Sequence, residues 1–136
     1  VAYATQADMV DEFGELELAQ LTDRISASAI DAEVLKQALD SATEEIDSYL
    51  AARYTVPLEM IPAALVPKCA DIARYRLYKD APPDVVIERY KMAIRWLENV
   101  AKGLIALPVT PAPVSHDTPD FDDQDRIFTK TTLEGF

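Results

Sequence analysis

Apolar positions recur at the 3.6-residue spacing of helices along most of the first hundred residues. Thr5 reads as the N-cap of a first short helix, with Asp8 at the third helical position in the manner of a capping box. Ala7, Met9, Val10 and Phe13 are its apolar residues, and Gly14 suits a left-handed C-cap. A second short helix, from Glu15 to Leu21, carries Leu16, Leu18 and Leu21; the small and polar stretch from Thr22 to Ile30 reads as a loop. Asp31 then caps a long third helix reaching about Arg53, with Ile30 and Leu35 at the spacing of a hydrophobic staple. Leu35, Leu39, Ala42, Ile46, Tyr49 and Leu50 fall on one face of it. Glu33, Asp40, Glu44 and Asp47 fall on the other. Like charges at that spacing repel, so the acidic stripe is either a solvated face or one that meets cations.

Prolines organise the next stretch. Tyr54 to Ile61 is a loop, a short turn follows Pro62, and the fourth helix is predicted from near Pro67 to near Lys79. It is apolar almost all round, through Val66, Cys69, Ala70, Ile72, Ala73, Tyr75, Leu77 and Tyr78, which places it at the centre of a bundle. Asp71 interrupts it, and a charge there needs a partner, expected to be Arg74 or Arg76. Pro82 and Pro83 restart the chain, and Asp84 complements the dipole of a fifth helix running to about Lys102, with Gly103 as its C-cap. Val86, Tyr90, Ala93, Ile94, Leu97 and Ala101 form its core stripe. Val85, Met92 and Trp96 form a second stripe, either the edge of a wide core face or a contact for another molecule. The fold class that follows is all-α: a compact antiparallel bundle of about five helices over residues 1–104.

Residues 105–136 differ in character. Pro108, Pro111, Pro113 and Pro119 predict an extended, polyproline-like and poorly packed arm from Leu107 to Asp120. Phe121, Phe128 and Phe136 in the last stretch are too many aromatics for a purely solvated tail. Arg126, Phe128, Leu133 and Phe136 are the residues expected to dock on a partner.

Composition removes most chemistry. The 136 residues include one Cys, one His and three Gly. A single Cys forms no internal disulfide and no Cys-rich zinc site. Cys69 and His116 make a poor nucleophile and base, since the histidine lies in the proline-rich arm. The run Asp120, Asp122, Asp123 and Asp125 lacks the glycine and terminal glutamate of an EF-hand loop, and reads as a solvated linker. The expectation is a protein without catalytic residues, cofactor or metal. Apolar runs reach only about four residues against the roughly 20 of a membrane span, and no secretory signal pattern opens the sequence.

The net charge is -11 and it is unevenly placed. Residues 1–50 carry -10, residues 51–114 carry +3 and residues 115–136 carry -4. Broad binding to a nucleic-acid backbone is excluded, because that needs clustered Lys and Arg. An acidic segment followed by a basic one suits a head-to-tail contact between copies, in which Glu33, Asp40, Glu44 and Asp47 are interface candidates, with Val85, Met92 and Trp96 as an apolar alternative.

Five segments, residues 3–23, 42–58, 69–78, 88–103 and 126–136 (the last reading RIFTKTTLEGF), occur in an order that resembles the small neck proteins of Mu-like phages and prophages. The resemblance implies a head–tail connector, or adaptor: a structural protein of the virion neck, present in the host cytoplasm during assembly. Such proteins join the portal protein after DNA packaging as a ring, commonly of twelve copies. DNA passes through the ring, and downstream neck and tail proteins lie beyond it. The residues themselves leave open another class, a small acidic interaction or regulatory module that mimics the charge of DNA.

Overall fold

The computed structural model describes residues 2–110, and all regular structure within them is helical. The helices are α1 (Gln6–Phe13), α2 (Glu15–Thr22), α3 (Ala32–Leu50), α4 (Leu65–Leu77) and α5 (Asp84–Ala101). Each starts for a local reason. Thr5 and Asp8 form the reciprocal capping box on α1. Asp31 accepts from the N–H groups of Glu33 and Val34 at the head of α3. The turn after Pro62 runs directly into α4, so the helix starts two residues earlier than expected. Pro67 then sits in its first turn, where no intrahelical donor is needed. Gly14 separates α1 from α2 with φ +87° and ψ 151°. That is positive φ as expected, but outside the left-handed helical basin, in a region nearly closed to residues with a Cβ.

α3, α4 and α5 form the body. Going forward along α4, Lys68 lies over Trp96 of α5 and Tyr75 stacks on Tyr90, so these two helices are antiparallel. Thr43 of α3 meets Cys69, while Val34 and Ala38 lie near Leu77, so α3 and α4 are antiparallel as well. α4 is central: it packs on α3, α5 and α1. Cys69, Ile72 and Ala73 have no solvent exposure, as its all-round apolarity requires. Leu35, Ile46, Leu50, Leu65, Leu97 and Val100 complete the sealed interior. Each such side chain contributes roughly 1.5–3 kcal/mol by leaving water. Arg24, in the loop after α2, donates to the carbonyl of Leu77 at 2.7 Å and so finishes the C-terminus of α4.

Two expectations are corrected. Asp71 pairs with neither Arg74 nor Arg76. Its Oδ1 lies 3.1 Å from Nε of Arg89 on α5. Arg74 turns instead toward α2 and Arg76 toward α3. The second correction is at the start of the arm. Leu107 is buried, and Ile105 and Val109 pack against the core. The Leu107 N–H donates to the Tyr54 hydroxyl at 2.8 Å, which holds the chain against the end of α3. The tail residues Arg126, Phe128, Leu133 and Phe136 lie outside the described residues.

Candidate functional site: the acidic groove along α3

The 3.6-residue period that turns Leu35, Leu39 and Ile46 of α3 toward the core sets Asp40, Glu44 and Asp47 along the helix's outer side. A second wall faces them. Tyr3 donates its backbone N–H to Oγ1 of Thr43 at 3.0 Å and its hydroxyl to Asp47. The same hydroxyl accepts from the Leu58 N–H at 3.0 Å. Through these bonds the N-terminal residues and the loop around Pro57 are laid beside α3. The resulting groove has a volume of about 720 Å³. Leu35 and Leu39 lie beneath it with almost no exposed surface, and Asp40, Glu44 and Asp47 form its acidic rim. Ala2, Gln6 and Pro57 stand on the opposite side.

The acids are not equivalent. Asp40 is bridged by Lys36 at 2.7 Å, and its carboxylate holds the ammonium pKa above the usual lysine value. Asp47 is partly buried and committed to Tyr3, whose phenol is pushed up to about 12, first by burial and then by that hydrogen bond. Glu44 is exposed and makes no ion pair among the described residues.

Three of the acidic residues singled out in the sequence therefore line one groove. Glu33 is exposed at the head of α3, outside the groove lining. The apolar candidates are elsewhere, on α5. Val85 and Met92 are exposed. Trp96 is half-buried and packs against the core, with the Lys68 ammonium 5.5 Å from its ring centre, so it fits the reading of its stripe as the edge of a wide core face. Lys91, Arg95 and the C-cap Lys102 share one exposed side with Asp84, Glu88 and Glu98, so that side of α5 is of mixed charge.

Two carboxylates that sequence reasoning missed hold the helices together. Glu17 accepts from Nε and Nη2 of Arg74 at 2.8 and 3.1 Å. Glu45 accepts from Arg76 at 2.7 Å and from the Tyr90 hydroxyl at 2.8 Å. No spacing rule marks either, since each partner is on another helix. Cys69 is sealed between α3 and α4, and burial pushes its thiol up to about 11, which leaves it little nucleophilic character at neutral pH. Among the described residues no three His, Cys, Asp or Glu side chains are grouped to hold a metal ion. No helix among them is long and apolar enough to cross a membrane.

A profile of the family described as Bacteriophage Mu, Gp36 matches residues 3–121. The chain belongs to that family. It is 37% identical over 107 residues to the Mu-like prophage FluMu protein gp36 of Haemophilus influenzae, covering 79% of this chain and 76% of that protein. It is 35% identical over 102 residues to gene product J of Escherichia phage Mu, covering 74% and 72%. The Gp36 match spans every helix and all of the groove lining but Ala2, runs on through the whole proline-rich stretch, and stops short of residues 126–136.

Proposed function

We propose that the protein is a structural head–tail connector of the virion neck, joining the portal protein as a ring of copies, commonly twelve, after DNA packaging. The observation that carries this reading is the presence of two unlike exposed surfaces on different helices. The groove on α3 is rimmed by Asp40, Glu44 and Asp47, and α5 exposes the apolar Val85 and Met92 beside a side of mixed charge. Two unlike surfaces on one chain make a head-to-tail contact where each fits the other, and repetition of such a contact closes a ring when the rotation allows. Membership of a Mu phage family supports the reading. In this reading the apolar residues Val85 and Met92 flank the contact, and Arg126, Phe128, Leu133 and Phe136 anchor the tail on the assembled neck. DNA passes without adhering, because acidic surface repels its phosphates. The chain works in the host cytoplasm during assembly and in the virion afterwards, with downstream neck and tail proteins on the far side of the ring.

The test is electron microscopy of the chain mixed with the portal protein of its own phage. A closed ring seated on the portal is expected, and its assembly should weaken as salt screens the exposed charges beyond roughly 8–10 Å. A chain that ignores the portal but forms a tight one-to-one complex with a basic DNA-handling protein would instead mark the acidic segment as a DNA mimic.

A further inference from the structure

The α3 groove is open in residues 2–110, and the same chain carries a segment suited to fill it. We propose that in the isolated chain residues 126–133 (RIFTKTTL) seat in the groove of their own α3. Three observations converge. The first is charge. The segment holds Arg126 and Lys130 and no acid, whereas the groove sets Asp40, Glu44 and Asp47 against the single cation Lys36. The second is spacing. Asp40 and Asp47 are seven helical residues apart, about 10 Å along the axis. Arg126 and Lys130 are four residues apart, about 13 Å if extended. Long, flexible basic side chains close that difference, and Ile127, Phe128 and Leu133 supply apolar surface for the accessible lining at Ala2, Ala32 and Pro57.

The third observation is where the described chain leaves the bundle. Pro108, Val109 and Thr110 lie beside Pro57, and Pro57 is itself part of the groove wall. The path from Thr110 to Arg126 spans at most about 50 Å in polyproline geometry, and α3 with its 19 residues is only about 28 Å long. The tether therefore leaves the bundle beside the groove and is long enough for the segment to reach any part of it. A short tether gives it a high effective concentration there. The proposal concerns the isolated chain and does not depend on the connector reading.

A cysteine pair tests it in the full-length chain. Glu44→Cys places a thiol on the exposed rim and Thr129→Cys one in the middle of the segment; Cys69 is sealed in the core and does not compete. Under mild oxidation at low protein concentration, an intramolecular disulfide is expected in most molecules. Adding Arg126→Glu and Lys130→Glu should cut its yield at least severalfold. Three outcomes overturn the proposal: no disulfide, disulfide-linked dimers only, or a yield unchanged by the two charge reversals. None of them bears on whether the chain forms a ring on the portal.

Discussion

Arg74 grips Glu17 with two parallel hydrogen bonds across 57 positions of sequence, and its guanidinium lies 4.4 Å from the ring centre of Phe13. One side chain thus fastens α4 to both α1 and α2. The pair is largely shielded, with 13% and 25% of the two side chains exposed, so it sits above the near-zero value of open surface ion pairs.

Replacing that arginine should show how much depends on its fork. Arg74→Lys keeps the charge and loses the two-pronged geometry. A loss of about 1–2 kcal/mol is expected, comparable to a charge-assisted hydrogen bond. Urea unfolding measures it. A midpoint equal to the parent's would mean the short helices are held by apolar contact alone.

Asp71 gives a contrast between two replacements. Burial pushes its carboxyl pKa up, against the pull of Arg89, so the charged form is less favoured in the folded chain than in the unfolded one. Its Oδ1 is buried without a hydrogen-bond partner among the described residues, because the approach of Arg89 is close but poorly aligned. Asp71→Asn is therefore expected to leave the melting temperature at pH 7 unchanged or raise it. Arg89→Ala strands the carboxylate and should cost about 1–3 kcal/mol. Thermal melts of the two variants side by side decide it, and a large loss for Asp71→Asn would show that the ion pair is a net stabiliser.

Alkaline stability should follow Tyr3 and Tyr90. Burial first, and then the hydrogen bonds to Asp47 and Glu45, push both phenols from the ordinary 10.0 to about 12. Between those values the folded chain keeps protons that the unfolded chain has released. The stabilisation is complete below pH 10 and is lost as pH rises from about 10 to about 12. Unfolding free energy measured across that window should fall, and should fall less steeply in Tyr3→Phe. The same variant should be about 1 kcal/mol less stable at neutral pH, having lost the hydroxyl that joins Asp47 to Leu58.

Cys69 serves as a reporter of opening. A fully buried thiol with its pKa near 11 should resist a thiol reagent at pH 8 in the native chain and react at once in denaturant. Rapid native labelling would show that α3 and α4 separate locally.

The helices were legible because their signals are local. Thr5 with Asp8, Asp31, Gly14 and the Pro82–Pro83 pair each act within a turn of where they stand, and the stripe from Leu35 to Leu50 is periodic over about four turns. Asp71 was misread for the complementary reason. Arg74 and Arg76 are near it in sequence, but α4's rotation sends them to α2 and α3, while Arg89 arrives from α5. Half of the groove was visible, the acidic side of α3. Its other wall was not, because residues 2–5 and Pro57 have no periodicity and are tied to α3 by the hydrogen bonds of Tyr3. Leu107 was hidden by its prolines: they predict an extended backbone correctly but say nothing of an apolar side chain finding a place under Tyr54.

The bond from the Leu107 N–H to the Tyr54 hydroxyl has a mechanical meaning. Without it, tension on the chain beyond Thr110 would peel α5 from its last turn, one weak bond at a time. With it, the load enters at the end of α3 as well, and Arg53 and Gly103 already lie against each other there. Tension on the chain beyond Thr110 is then shared by the ends of two helices, α3 and α5, instead of falling on the last turn of α5 alone.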